Sequence, residues 1–120
     1  MSTNAQRLAW HEQLVQALLG GPALAGPPDQ RKLIQTHISS LVLAGDETWK
    51  LRKPLQLDFL DFSTTALRRA DCEAELRLNR RTAPALYLDV LPVTGSAQAP
   101  HIGGAAEDAI DWVLRMRRFD

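Results

Sequence analysis

Cysteine is nearly absent from this chain: Cys72 is the only one in 120 residues. An intramolecular disulfide and a cysteine-based zinc site are therefore excluded, which fits a reducing, cytoplasmic setting. Charge of one sign is lacking too, because 14 basic and 14 acidic side chains cancel. That balance gives no reason to expect nucleic acid or an anionic membrane as partner. No apolar run approaches the ~20 residues that span a bilayer. The polar start, STNAQR after Met1, has none of the apolar core of a signal peptide. His11, His37 and His101 fall in no metal-ligand spacing such as HExxH, and neither GxSxG nor GxxxxGK[ST] occurs.

What is present is the composition of an ordinary folded protein, 45% hydrophobic and 23% charged. It predicts one soluble domain of mixed α+β class over residues 1–120. Leu8, His11, Leu14, Val15 and Leu18 share one face of a helix spanning Asn4 to Leu19, with Ser2, Thr3 or Asn4 as its cap. GGPALAGPPD (20–29) is a loop whose prolines remove donors that a phosphate would need. From Lys32 the pattern turns extended: Leu33 and Ile34, an interrupting THISS, then Leu41 to Leu43. A Gly45-Asp46 hairpin turn leads to an alternating strand, Thr48 to Lys53, ended by Pro54. LQLDFLDF (55–62) is expected to pack under the sheet.

Ser63 is the predicted N-cap of a helix from Thr64 to Arg81, with Leu67, Ala70, Ala74 and Leu78 as its buried stripe. Cys72 lies mid-helix beside alanines and reads as a buried, inert thiol. A strand around Leu86 to Val90 stops near Pro92, and a loop follows from Gly95 to Gly104. In the tail, Ile110, Trp112, Leu114 and Met116 recur at period two, which favours a strand over a helix.

The order strand, helix, strand between Glu47 and Val93 brings chemistry together. Lys50 leaves one face of its strand, and Glu73 and Glu75 lie on the helix that must pack against that sheet. A lysine on a sheet held by a glutamate on the adjacent helix can fix nucleotide phosphate oxygens, as in a kinase small lobe. Lys53 rivals Lys50, and helix phase does not decide between Glu73 and Glu75. The arginine clusters Arg77, Arg80, Arg81 and Arg115, Arg117, Arg118 read as solvated faces.

The segments THISSLVLAGDETWKLRKP, FLDFST, CEAELRLNRR, APALYLDVLPVTG and DWVLRMRRF, in this order, resemble the amino-terminal part of bacterial aminoglycoside phosphotransferase-like proteins. Such proteins are often fused to a second, P-loop kinase-like half. The resemblance runs from about His11 to Phe119. It implies a protein-kinase-like small lobe, an antiparallel sheet of about five strands with one main helix, preceded here by the amino-terminal helix. It implies ATP, with Mg, as ligand. Lys50 matches the strand lysine that contacts phosphate and Glu75 its helix partner, with Glu73 still possible. Gln35 to Ser40, including His37 and Ser39, would cover the phosphates, and Met116 to Arg118 would start the hinge beside the adenine. Two departures stand out: the THISS turn has no glycine for close backbone approach, and Ser40 stands where an aromatic residue is more usual.

The resemblance further implies that the catalytic base and metal ligands belong to a large lobe outside these residues, so the chain alone is expected not to catalyse transfer. Its expected partners are that lobe or another protein chain. An apolar hinge face near Met116 and Phe119 would invite self-association.

Overall fold

A computed structural model describes residues 2–118. Helix α1 (Asn4–Gly20) is started by Thr3, whose hydroxyl accepts from the Gln6 amide while the Gln6 side chain accepts from the Thr3 amide. This reciprocal cap satisfies two donors that the first turn would otherwise leave open. Its buried residues are His11, Leu14, Val15 and Leu18, the face expected from spacing. At the other end, the Arg31 guanidinium donates to the carbonyls of Leu18, Leu19, Gly21, Leu24 and Gly26. One cation thus gathers the orphan carbonyls of the helix terminus and of the Gly/Pro loop.

Six strands form one antiparallel sheet in the order β1-β2-β3-β8-β6-β7. They are β1 (Lys32–Gln35), β2 (Ser39–Ala44), β3 (Glu47–Arg52), β6 (Tyr87–Gly95), β7 (Pro100–Ile102) and β8 (Asp111–Arg117). β2 and β3 are joined by Gly45-Asp46, with Gly45 at φ 58° and Asp46 not positive. Glycine first and an ordinary residue second is the pattern of a type II′ hairpin turn. β8 lies between β3 and β6, with Trp49 opposite Arg115 and Val90 opposite Leu114. Its period-two segment is the strand that the alternation predicts.

The sheet has six strands rather than about five because the Gly95–Gly104 segment is not all loop: Pro100–Ile102 pairs with Val93–Gly95. Nor does β6 stop at Pro92. The Pro92 carbonyl accepts from Gly103 on the side of β7, and β7 ends at Ile102, opposite Val93. The missing N–H of Pro92 therefore faces a place where the ladder has run out, which is where a strand tolerates proline.

Helix α2 (Thr65–Asn79) differs in phase from its expected stripe. Its buried residues are Arg68 and Cys72, whereas Leu67 and Leu78 are 40% and 60% exposed. The cause is polar: Arg68 donates to Asp111 at 2.8 Å and to the carbonyl of Phe62 at 2.9 Å, and this anchor sets the rotation of the helix. The cap is Thr64, not Ser63; the Ser63 amide and hydroxyl both donate to Asp61. The connector also departs from expectation. It forms a two-stranded ribbon, β4 (Gln56–Leu57) and β5 (Leu60–Asp61), whose tip leaves Phe59 84% exposed. Two tip residues cannot reach the sheet, and only Phe62 is buried.

Apolar packing occurs on both sheet faces. Leu14, Val15 and Leu18 of α1 join Val42, Ala44, Trp49, Leu51, Val93 and Val113 in one cluster. Cys72 of α2 joins Trp112, Leu114 and Met116 in the other. Alternation along β3 thus sends Trp49 and Leu51 toward α1 and leaves Thr48, Lys50 and Arg52 for the opposite side.

Candidate functional site: a charged cleft between β3 and α2

Three elements meet at a cleft of about 190 Å³ lined by Thr36, Ile38, Ser39, Lys50, Arg52, Phe62, Asp71 and Glu75. Lys50 and Arg52 stand two apart on β3, so they share a face. Asp71 and Glu75 stand four apart on α2, so they share a stripe. The strand pair therefore meets the helix pair.

Glu75 is the centre of this network. Lys50 Nζ lies 3.0 Å from its Oε2 and 3.1 Å from its Oε1, and the Arg52 guanidinium also donates to Oε1. Arg52 Nε donates to Asp71 Oδ2 at 2.9 Å. The side chains of Arg52 and Glu75 are 3% and 19% exposed, those of Lys50 and Asp71 25% and 47%. Arg52 is thus the buried post of the network, while Lys50 reaches the opening.

The turn above the cleft is closed on itself. The Thr36 hydroxyl oxygen accepts from the amides of Ile38 and Ser39 and lies 2.7 Å from Ser39 Oγ. Those two amides are consequently not available to an anion. Lys53, the rival lysine, donates to the Thr36 carbonyl instead. Cys72 lies beneath the network, and burial pushes its thiol up to about 12. A thiol so resistant to ionisation is no nucleophile at neutral pH.

Of the residues singled out in the sequence, Lys50, Glu75 and Ser39 line the cleft together. Glu73 does not; it pairs with Arg69 at 2.8 Å on the exposed side of α2. His37 is exposed in the turn and is not among the lining residues. Met116 is buried beneath α2 with Cys72 and Trp112, away from the cleft. A hinge face at Met116 and Phe119 is therefore not formed by Met116, and Phe119 lies outside the described residues. Arg52 and Asp71 were missed in the sequence reading, although i,i+2 bases on a strand and i,i+4 acids on a helix are a legible match.

No family model matches the chain, and no solved structure matches it. Three curated proteins are similar to it, one from Mycobacterium bovis and two from strains of Mycobacterium tuberculosis, each described as uncharacterized. Each is 38% identical over 85 residues. The match covers 71% of this chain and 15% of each relative, so the chain spans a small part of the curated relatives' length.

Proposed function

We propose that this domain is a nucleotide-binding small lobe of protein-kinase-like type, related to the amino-terminal part of aminoglycoside phosphotransferase-like proteins, and that Lys50 contacts ATP phosphate. The observation that carries the reading is the Lys50–Glu75 contact at 3.0 Å between a sheet strand and the adjacent helix. In phosphoryl-transfer enzymes such a pair fixes the phosphates without performing chemistry itself. The cleft is below the usual 300–1,000 Å³ of a small-molecule pocket, so it takes one phosphate group, with the nucleoside beyond its rim. No group of three His, Cys, Asp or Glu side chains able to hold a metal occurs among the described residues. Magnesium would accordingly arrive on the phosphates. Binding, with no transfer step, is the part that falls to this domain.

Trp49 points to the sheet face opposite Lys50, so binding is read by isothermal titration calorimetry rather than by tryptophan fluorescence. Titration with Mg-ATP is expected to give a saturable change in the parent protein and none in Lys50→Ala. Equal responses, or no response in either, would remove the nucleotide assignment.

A second reading, a non-enzymatic module that binds another protein chain, draws on one observation: Phe59, 84% exposed at the tip of the β4–β5 ribbon. An aromatic side chain so presented is a ready anchor for a contact. Sedimentation velocity is expected to show concentration-dependent self-association that Phe59→Ser reduces. A concentration-independent monomer in both proteins would count against self-association.

A further inference from the structure

Away from the β3–α2 cleft, a second cavity of about 320 Å³ lies where the starts of the two helices approach each other. Separate parts of the chain converge on it: Arg7 and Trp10 of α1, Pro54 after β3, Thr65 and Arg68 of α2, and Ile110 before β8. It shares no lining residue with the first cleft. Its volume falls within the usual range of about 300–1,000 Å³ for a small-molecule pocket. Two arginines line it, and no aspartate or glutamate does.

The two guanidiniums differ in what balances them. Arg68 is 4% exposed and donates to Asp111 at 2.8 Å, so a buried carboxylate meets its charge. It also lies over the Trp10 ring, 5.8 Å from the centroid. Arg7 donates instead to the carbonyls of Pro54 and Ser2 and to the side-chain oxygen of Asn4, all of them neutral. Those bonds fix the group in the cavity wall, and a guanidinium has five N–H donors, so donors remain. Asp61 feels the Arg7 charge, but its carboxyl is held below the usual value chiefly by Ser63, whose hydroxyl and amide both donate to it. The cavity therefore has one fixed positive charge and no lining carboxylate to neutralise it. Thr65 adds a hydroxyl whose oxygen accepts from Arg68 at 3.4 Å, leaving its proton to donate.

We propose that this cavity binds a small aromatic carboxylate, with Arg7 and Thr65 holding the carboxylate and Trp10, Pro54 and Ile110 enclosing the ring. One unbalanced cation matches a monoanion, whereas a phosphate dianion would bring a second charge that nothing meets. The planar guanidinium is the side chain best shaped for a carboxylate. An indole, a proline ring and a branched aliphatic chain suit a flat apolar body in turn. The site does not rest on the nucleotide reading, because the two cavities have no residue in common.

The indole N–H of Trp10 reports on this cavity, and those of Trp49 and Trp112, buried in the two apolar clusters, serve as internal references. Nitrogen–proton NMR spectra of the full chain would follow all three during titration with sodium benzoate to about 10 mM, the range of a weak small ligand. Trp10 is expected to shift saturably while Trp49 and Trp112 stay in place. Benzamidine, the same ring with a positive charge, is expected to leave Trp10 unmoved. Arg7→Met is expected to raise the benzoate Kd about tenfold or more, the loss of a charge-assisted hydrogen bond. Arg7 also ties the start of α1 to Pro54, so should Arg7→Met not fold, Thr65→Val decides, with a rise of about fivefold expected. No saturable Trp10 shift with benzoate, or an equal shift with benzamidine, would overturn the proposal. So would an unchanged Kd in the deciding variant, or tighter binding of phenyl phosphate than of benzoate.

Discussion

His11 lies between α1 and β2 with Nε2 2.8 Å from Ser40 Oγ, and its Nδ1 is buried without a partner. Burial, with Lys53 and Arg68 nearby, lowers its pKa from 6.5 to about 4. The native ring thus stays neutral where the unfolded ring already takes up a proton. Stability contributed by this residue is complete above pH 6.5, falls as pH drops through the window from 6.5 to about 4, and then levels off. The gap between the two values corresponds to about 3 kcal/mol. Urea unfolding of the parent and of His11→Asn at pH 7 and pH 4.5 checks this. The parent is expected to lose about 2 kcal/mol more than the variant, and equal losses would contradict the assignment. At the same scale, the sequence showed His11 only as one apolar-face position. The Ser40 that receives it could not be identified, because the partner lies 29 positions away.

Among the elements, α1 and α2 show what pattern reveals and what it hides. α1 meets an apolar sheet face, so hydrophobic spacing alone finds its buried residues. α2 meets a face carrying Thr48, Lys50 and Arg52, so its inward residues include Arg68, Asp71 and Glu75. A search for an apolar stripe then selects Leu67 and Leu78, which are exposed. Order along the chain brings Glu73 and Glu75 equally toward Lys50, and only the family resemblance favours Glu75; Arg52, alternating on the same strand, carries no such cue. Pro92 misled in a similar way, since proline ends a strand only where its N–H is needed. The end of α1 offers an element-scale prediction. Arg31→Ala removes one guanidinium from five carbonyls and is expected to cost about 2 kcal/mol in thermal or urea unfolding. Arg31→Lys should recover only part of it, because an ammonium lacks the guanidinium's fork. A loss under 0.5 kcal/mol, the usual size of a surface change, would show those bonds to be incidental.

For the whole molecule, an α+β class with an antiparallel sheet and two helices was readable in outline, and neither the count of strands nor the placing of a helix on each face was. Short β7 has a glycine-rich, proline-containing neighbourhood that carries no strand signal of its own; its pairing with β6 makes it a strand. The Arg68–Asp111 pair likewise emerges only when α2 and β8 are brought together. It is buried on both sides, at 5% and 0% exposure, and burial pushes the Asp111 carboxyl up while Arg68 draws it back. Arg68→Met leaves that carboxylate without its cation and is expected to cost about 3 kcal/mol or more. Arg68→Met/Asp111→Leu should regain most of it, a double-mutant cycle measurable by urea unfolding. A double variant no more stable than Arg68→Met would show that the two side chains do not act as a pair.

The place of β8 has a consequence in time. The last in chain order of the eight strands described, it is flanked by β3 and β6 and registers Glu47 against Arg117. Before residues 111–117 leave the ribosome, β1-β2-β3 and β6-β7 are two separate ribbons with bare edges where the seam will close. Long-range closure of this kind slows folding and leaves nascent chains open to mispairing. The middle of the finished sheet is thus the part made latest, and Cys72 of α2 meets its packing partners Trp112, Leu114 and Met116 only when synthesis has passed them.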